Sequence, residues 1–181
     1  MTLYVNACVR PDSRTDRIAR ALLEKLGGDF MELKLDEAGF QPLNAETLAK
    51  RTALIEAGDY DDPMFDPAKQ FAVADIIVIS TPFWDYSFPA LLKIYLENIY
   101  VTGIVSRYGP DGMPVGLCRG KKLWYVTTAG GPYVPDFSYN CVKALAQTAF
   151  GIPETELIAA EMLDVEGFDA EKIVADAIAK L

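Results

Sequence analysis

The sequence predicts an α/β protein built on an open, doubly wound parallel sheet. Short apolar runs alternate along the chain with longer segments of helical periodicity, which is the pattern of strands joined by crossover helices. The most apolar run, residues 76–80, consists of β-branched residues and a terminal serine, as expected for a central parallel strand that is buried on both faces. In such a sheet, ligands bind beyond the carboxyl ends of the strands.

The individual elements follow from apolar periodicity and from helix-ending signals. Strands are predicted at residues 3–7, 30–35, 76–80, 122–128 and 157–160. Helices are predicted at residues 13–26 and 45–57, in a short segment that ends at Ala74, and at residues 89–101, 136–150 and 169–180. Residues 30–35 alternate apolar and polar side chains, which indicates an edge strand with one solvated face. Residues 59–67 are expected to be a solvated acidic loop, and residues 103–120 a long loop.

The chain is expected to form a single domain over residues 1–181, because its length is close to the usual ~150 residues per domain and no repeat or linker is visible. Its net charge is −9, from 26 acidic and 17 basic residues. That excess disfavours nucleic acid and anionic membrane surfaces as partners. No window approaches the ~20 apolar residues of a membrane span, and the first residues lack a signal-peptide pattern. We therefore expect a cytoplasmic protein.

The residue types present narrow the possible chemistry. The three cysteines, Cys8, Cys118 and Cys141, are far apart, and the chain has no histidine. A disulfide framework, a metal site held by cysteine or histidine, and a histidine-based triad are therefore not expected. The cysteines are predicted to pack rather than react. Any chemistry must rest on backbone amides, hydroxyls, carboxylates, aromatic rings or a bound cofactor.

The loop after the first strand, residues 8–17, carries hydroxyls at the start of a helix. Ser13 and Thr15 lie where free N–H groups and the positive end of the helix dipole favour a phosphate. Arginines stand at positions 10, 14 and 17, and no glycine-rich nucleotide motif is present. The alternative is that Ser13 or Thr15 only caps the helix, with the arginines in solvent.

The loop after the third strand, residues 81–89, is unusually aromatic for a turn. Its aromatic residues and prolines are Pro82, Phe83, Trp84, Tyr86, Phe88 and Pro89. Such a loop can form a stiff wall against a flat aromatic ligand. The alternative is a cluster packed into the local core, or an exposed contact patch.

The loop after the fourth strand contains Gly130-Gly131, which allows the backbone to approach a ligand closely or to adopt a positive φ. The alternative is a pair of turn glycines with no further role. All three loops lie at the same edge of the predicted sheet. Together they predict a site that holds a phosphate at one end and a ring at the other.

Taken together, these segments resemble the flavodoxin-like NAD(P)H:quinone oxidoreductase and FMN-dependent azoreductase family. The resemblance rests mainly on residues 74–99, where a strand is followed by Thr-Pro-Phe-Trp-Asp-Tyr and then by Pro-x-x-Leu-Lys and a helix. It continues through residues 106–108 and 120–122 to residues 127–131, and is weakest over residues 36–66. It implies a flavodoxin-like five-stranded sheet in the order 2-1-3-4-5, with helices on both faces.

The resemblance also implies the cofactor contacts. Ser13, Arg14 and Thr15 would bind the FMN phosphate, the aromatic loop would line the isoalloxazine ring, and the glycine loop would close the opposite edge of that ring. The full set of candidate FMN contacts is Cys8, Ser13, Arg14, Thr15, Pro82, Phe83, Trp84, Asp85, Tyr86, Thr128, Gly130 and Gly131. The candidates for the substrate pocket are Trp84, Tyr108 and Tyr133.

The sequence departs from the family pattern near the expected site. Asp85 stands where asparagine is usual, and an acid there could disfavour an anionic reduced flavin. Cys8 stands where azoreductases commonly place a serine. Ala129 replaces an arginine or a similar polar residue, and Tyr133 stands where family members often carry a histidine. These changes bear on substrate choice and redox tuning.

The family implies an enzyme with a ping-pong mechanism, in which a hydride passes from NAD(P)H to flavin N5 and then to a small-molecule electron acceptor such as a quinone or an azo compound. Two alternatives stay open. A flavodoxin-type electron carrier would fit the acidic balance, although residues 8–17 lack the compact Thr-x-Thr-Gly-x-Thr phosphate loop of such carriers. A sheet that has lost its flavin would serve as a binding module.

The helix predicted at residues 89–101 is apolar nearly all round. Its apolar positions are Leu91, Leu92, Ile94, Tyr95, Leu96, Ile99, Tyr100 and Val101, and its polar stripe is Lys93, Glu97 and Asn98. Because one sheet cannot cover both apolar faces, the pattern predicts a homodimer that buries this helix, with the site at the interface. The alternative is that residues 104–120 of the same subunit cover it.

Overall fold

Seven strands and six α-helices make up the computed structural model, which describes all 181 residues. The strands are β1 (Thr2–Asn6), β2 (Phe30–Lys34), β3 (Ile76–Ser80), β4 (Ser106–Tyr108), β5 (Pro114–Gly116), β6 (Lys122–Thr128) and β7 (Glu154–Ala160). The helices are α1 (Arg14–Leu26), α2 (Ala45–Ala57), α3 (Asp66–Val73), α4 (Ala90–Ile99), α5 (Tyr139–Ala144) and α6 (Ala170–Ala179). No helix combines the length and the apolar character that a bilayer crossing requires.

Five of the strands form one parallel sheet in the order β2-β1-β3-β6-β7. Numbered along the chain within this sheet, the order is 2-1-3-4-5, so the predicted topology is confirmed. The β-branched run predicted as the central strand is β3, which pairs with β1 on one side and β6 on the other. Because the chain reverses its direction of sheet growth between β1 and β3, the carboxyl ends of these two strands flank a crevice.

Helices cover both faces of the sheet, because alternate residues of each strand point to opposite faces. In β1, Leu3 and Val5 enter a large core against α3, α4 and α5, whereas Tyr4 enters a smaller core against α1 and α6. All three side chains are fully buried. The two cores fix α1 across the crevice end of β1 and β3, which is where the site lies.

Local signals set the bounds of α2 as predicted. Asn44 Oδ1 accepts from the Thr47 amide at 2.9 Å, and Thr47 Oγ1 accepts from the Asn44 amide at 2.9 Å. This reciprocal capping box satisfies two of the free donors at the helix start. At the other end, Gly58 adopts a φ of 68°, a left-handed conformation that glycine takes without a steric penalty.

Two segments differ from the predicted loops. Residues 103–120 contain the antiparallel hairpin of β4 and β5, whose strands are too short for alternation to reveal them. Residues 59–67 contain a 3-10 turn, Pro63–Phe65, and Phe65 is fully buried. Asp62 accepts from the Met64 amide at 3.0 Å, which starts this turn and directs Phe65 into the core. The expectation of a wholly solvated loop was therefore wrong.

The helix predicted at residues 136–150 is shorter and changes type. α5 begins only at Tyr139, and a π-helical segment, Leu145–Phe150, continues it. A Cβ placed on Gly116 would lie 2.1 Å from the amide nitrogen of Gly151. The hairpin thus packs directly against the end of this helix, and that contact is between segments far apart in sequence.

The second face of α4 is largely covered within the chain. Phe40 packs edge-on against Tyr95 with the ring centroids 5.3 Å apart, and Arg51 Nη1 donates to the Glu97 carbonyl at 2.9 Å. Val105, from the segment proposed as cover, is also buried in the same core. Much of the apolar surface that suggested a partner subunit is therefore satisfied by residues of the α2 region and the hairpin segment.

Candidate functional site

A cavity of about 550 Å³ opens at the carboxyl ends of the sheet strands. This volume is within the ~300–1,000 Å³ typical of small-molecule sites. Its walls come from four loops, which follow β1, β3, β6 and β7. The lining residues are Cys8, Val9, Arg10, Pro11, Asp12, Ser13, Arg14, Thr15, Pro82, Phe83, Trp84, Thr128, Ala129, Gly130, Leu163 and Asp164. The three loops predicted from the sequence do meet there.

The start of α1 forms the polar end of the cavity. Ser13 is the N-cap, and its Oγ accepts from the Asp16 amide at 3.3 Å. The hydroxyl hydrogen of Ser13 remains available, and the amides of Arg14 and Thr15 donate to no acceptor in the chain. Capping and anion binding, which the sequence presented as alternatives, are thus compatible in the same side chain. Amides at a helix start favour an anion through both hydrogen bonds and the dipole.

Thr15 and Thr128 join the first loop to the third. Their Oγ1 atoms lie 2.6 Å apart, and Thr15 is only 1% exposed. One hydroxyl of this pair donates to the other, so the accepting hydroxyl keeps its own hydrogen. The pair therefore offers one further donor beside the helix start.

The arginines of the first loop have different surroundings. Arg14 Nη1 donates to Asp164 Oδ1 at 3.0 Å and to the Leu163 carbonyl at 3.4 Å, across the cavity. Arg17 instead donates to both carboxylate oxygens of Glu171 at 3.1 and 2.9 Å, on the face packed against α6. This pairing lowers the pKa of the Glu171 carboxyl. Only Arg14 of these two can reach an anion in the cavity.

The aromatic loop after β3 ends in a tight two-residue turn. The Trp84 amide donates to the Ser87 carbonyl at 2.9 Å, and the Ser87 amide donates back to Trp84 at 2.8 Å. The residues between them, Asp85 and Tyr86, have positive φ values of 50° and 63°. Both central residues of a type I′ turn require this left-handed conformation. Aspartate tolerates it as asparagine does, whereas it is strained for a bulky residue such as tyrosine.

The wall of the cavity is only part of the predicted aromatic loop. Pro82, Phe83 and Trp84 line it. Asp85 and Tyr86 lie at the tip of the turn, outside the lining set, and Tyr86 is 68% exposed. The two interpretations of this loop therefore apply to different parts of it. Pro82, Phe83 and Trp84 form a wall of the cavity, whereas Tyr86 is exposed at the tip of the turn.

The predicted substrate-pocket tyrosines lie outside the cavity of the single chain. Tyr133 packs edge-on against Phe83, with centroids 4.9 Å apart, and its hydroxyl lies 2.9 Å from Ser138 Oγ. Burial raises the pKa of the Tyr133 phenol. Its hydroxyl is thus held at the start of α5 and supports the wall from behind. Tyr108 lies on the hairpin and is 71% exposed.

A fourth loop, which the sequence did not predict as part of the site, closes the cavity after β7. The amides of Leu163 and Asp164 donate to the carbonyls of Ala129 and Gly130 at 3.2 and 2.9 Å. A Cβ on Gly130 would lie 2.5 Å from Asp164 Oδ2, so a side chain at this position would displace the exposed Asp164 carboxylate. Gly131 meets no such neighbour and lies outside the lining set. The sequence did contain one indication of this role: the loop follows the last predicted strand, so it lies at the same edge of the sheet as the other three loops.

The three cysteines differ in exposure. Cys8 is buried and lines the cavity, with its Sγ 3.6 Å from Ser80 Oγ, and burial raises the pKa of its thiol. Cys118 is half-buried, whereas Cys141 is exposed. The expectation that all three pack was wrong for Cys141, which lies on the outer side of α5.

The cavity suits a ligand that joins an anion to a flat ring. Its polar end offers amides, hydroxyls and Arg14 within one turn of α1, and its other end offers the apolar surfaces of Pro82, Phe83 and Trp84. FMN has this combination of a phosphate and an isoalloxazine ring, so the residues present fit that cofactor. The fold and the cavity together define a doubly wound α/β protein with a phosphate-and-ring site at its topological switch point.

The comparisons with known proteins agree with this class. The model of the flavodoxin-like fold family matches residues 1–181, and the chain belongs to that family. The chain is 37% identical over 190 residues to FMN-dependent NADH:quinone oxidoreductase 2 of Clostridium acetobutylicum, covering 98% of this chain and 94% of that protein. It is 35% identical over 188 residues to FMN-dependent NADH:quinone oxidoreductase of Coprothermobacter proteolyticus, covering 97% and 93%.

Solved structures show the same fold. An azoreductase from Bacillus anthracis superposes with a TM-score of 0.85 at 22% identity, covering 99% of this chain and 95% of that chain. An FMN-dependent NADH-azoreductase from Bacillus anthracis, solved in complex with FMN, superposes with a TM-score of 0.83 at 21% identity, covering 99% and 94%.

Proposed function

We propose that this protein is an FMN-dependent NAD(P)H oxidoreductase that passes a hydride from NAD(P)H to a quinone, azo or similar acceptor by a ping-pong mechanism. The observation that carries the proposal is the meeting of the α1 start, the aromatic wall and the Thr128–Gly130 segment in one cavity. Relatives that match almost the full chain carry the name FMN-dependent NADH:quinone oxidoreductase, which supports the same activity.

Different residues would hold the two ends of the cofactor. Ser13, the amides of Arg14 and Thr15, and the Arg14 guanidinium would bind the phosphate. Pro82, Phe83 and Trp84 would pack against the ring. When bound, FMN supplies the redox chemistry, accepting a hydride from NAD(P)H and passing it to the acceptor. No side chain is required as a nucleophile, which suits a chain without histidine.

Backbone amides near the ring would stabilise negative charge that develops on it. The amides of Phe83 and Trp84 already donate to Thr128 and Ser87 carbonyls at 2.9 Å each. Around the wall, at residues 83–86 and 129–131, the amides without an acceptor in the chain are those of Asp85, Tyr86, Gly130 and Gly131. This supports a role for the turn tip through its backbone, even though its side chains lie outside the cavity lining.

The purified protein provides the direct test. The visible spectrum should show a flavin, and acid release should identify it as FMN. NADH oxidation, measured with and without a quinone, should then show turnover that requires the quinone. Negligible turnover by a flavin-bearing protein would instead indicate an electron carrier. A colourless protein with no affinity for added FMN would indicate a binding module.

The proposal extends to assembly and location. We propose a homodimer through residues 89–101, with a smaller interface than the sequence suggested. The surface of α4 that is left for a partner lies around Leu91 and Ile94, which are half-buried, and Lys93, which is exposed. Sedimentation at micromolar concentration should give a dimer, and Ile94→Lys should dissociate it; a wild-type monomer would contradict this part.

Since NAD(P)H is a reductant of the cell interior, the proposal places the enzyme in the cytoplasm.

A further inference from the structure

Asn6, the last residue of β1, is buried beneath the first loop and uses every hydrogen-bonding group of its side chain. It is only 3% exposed. Its Nδ2 donates to Asp16 Oδ1 at 3.1 Å and to Glu32 Oε1 at 3.0 Å. Its Oδ1 accepts from the Cys8 amide at 2.9 Å and from Ser80 Oγ at 3.2 Å. A buried amide with both donors and its acceptor satisfied has one defined orientation.

These contacts hold both ends of the phosphate loop, which we define as residues 7–15. The Cys8 amide lies at the beginning of the loop, and Asp16 follows its end in the first turn of α1. Tyr4, also in β1, donates its hydroxyl to the same Asp16 oxygen and lies 2.8 Å from Ser80 Oγ. The strand thereby fixes the helix start, whose free amides face the cavity, relative to β3.

The network also contains charged groups beneath the proposed anion site. Asp16 and Glu32 place two carboxylates close to Asn6, and Arg20 donates to both of them at 2.8 Å each. Asn6 Nδ2 donates to one oxygen of each: Asp16 Oδ1, which also accepts from Tyr4, and Glu32 Oε1, which also accepts from Arg20. An oxygen in place of that nitrogen would add a third negative group where donors are required.

We propose that Asn6 is a positioning residue that sets the preference of the site for a phosphorylated flavin over an unphosphorylated one. It acts through the loop ends and touches no ligand itself. This inference rests on the proposed function, since it assumes that the cavity takes FMN. Asn6 is not among the residues that line the cavity.

The test compares the dissociation constants of FMN and riboflavin, measured on the apoprotein by quenching of flavin fluorescence. Riboflavin shares the ring but has no phosphate, so the ratio of the two constants reports the phosphate loop alone. Asn6→Asp should reduce the preference for FMN by about tenfold or more, because a hydrogen-bond donor is replaced by a like charge. Riboflavin affinity should change by less than about threefold.

Asn140→Asp is the matched control, because Asn140 Nδ2 also donates to a carboxylate, Asp136 Oδ1 at 3.0 Å, but outside the cavity. Its FMN preference should stay at the wild-type value. Equal losses of FMN and riboflavin affinity in Asn6→Asp would overturn the inference, since they would indicate general damage. If Asn6→Asp does not fold, Asn6→Ala decides, because it removes the same four hydrogen bonds without adding a charge: a preference lowered about threefold supports the inference, and an unchanged preference overturns it.

The two proposals fail in different ways. A wild-type protein that binds neither flavin would overturn the proposed function together with this inference. A wild-type protein that prefers FMN, with an Asn6→Asp variant that keeps that preference, would overturn this inference alone.

Discussion

Arg14 and Asp164 form an ion pair across the mouth of the cavity, with Nη1 3.0 Å from Oδ1. Arg14 is the first residue of α1, and Asp164 lies in the loop after β7. An anion at the start of α1 would therefore compete with Asp164 for the same guanidinium. Asp164 has 71% of its side chain exposed, so its charge can be removed without leaving a buried group unpaired.

Asp164→Asn should consequently strengthen FMN binding about two- to fivefold at low ionic strength. The substitution frees Arg14 and removes a negative charge near the phosphate, and the gain should shrink as added salt screens the interaction. Fluorescence titration at two salt concentrations measures it. Glu171→Gln is the control, because it releases Arg17 on the same helix but outside the cavity. Weaker binding by Asp164→Asn would mean that Asp164 holds Arg14 in its binding position.

Substitutions of Ser13 should separate its two roles. Ser13→Ala loses both the cap and the hydroxyl donor, whereas Ser13→Gly loses the hydroxyl but caps nearly as well. We expect both variants to weaken FMN binding by about 1 kcal/mol, roughly fivefold. Only Ser13→Ala should also lose about 1 kcal/mol of unfolding free energy, measured by urea denaturation. Unchanged FMN affinity in Ser13→Gly would exclude a contact between this hydroxyl and the phosphate.

The regular part of the fold was predictable because its signals are local. The β-branched run of β3 and the Asn44 and Gly58 signals around α2 act over a few residues. The β4–β5 hairpin and the π-helical segment, Leu145–Phe150, were missed because neither has a strong local pattern. The hairpin and the end of this helical segment pack closely through Gly116 and Gly151. A contact between segments that are distant in sequence produces no periodic pattern from which it could be predicted.

The site was predictable to the extent that topology determines it. The carboxyl ends of parallel strands share one edge, which brings the loops after β1, β3 and β6 together. The direction of a side chain could not be predicted in this way. The Tyr133 hydroxyl points towards Ser138, and this direction depends on how α5 packs. The loop after β7 joins the site through the contact of Gly130 with Asp164, and neither residue alone indicates that contact.

The turn tip predicts a stabilising substitution. Tyr86 adopts a φ of 63°, which costs roughly 1–2 kcal/mol for a side chain with a Cβ. Tyr86→Gly removes this strain but gives the unfolded chain more freedom, about 0.5–1 kcal/mol. The net gain should be near 0.5 kcal/mol, a rise in Tm of about 1–2 °C. Tyr86→Ala is the matched control: it also removes the exposed ring but keeps the strain, so its Tm should not rise.

The Cys118 thiol predicts how stability changes in alkaline solution. Burial raises its pKa from 9.0 to about 12. Between these two values the unfolded chain releases a proton that the folded chain keeps, so the unfolded state binds fewer protons. The free energy of unfolding should therefore fall as the pH rises above about 9. Urea denaturation between pH 8.5 and 9.5, roughly below the range in which exposed tyrosines ionise, measures this decline. Burial also raises the pKa of the Cys8 thiol, so the share of Cys118 is obtained by comparison with a Cys118 variant.

Cys118→Ala should make this decline shallower, because the substitution removes the group whose ionisation favours the unfolded state. Cys141→Ala is the control: Cys141 is exposed, so its removal should leave the slope unchanged. Both variants are compared by the slope of unfolding free energy against pH, independently of any change in stability at neutral pH. Equal slopes for wild-type and Cys118→Ala would show that the Cys118 thiol ionises in the folded protein as readily as in the unfolded chain.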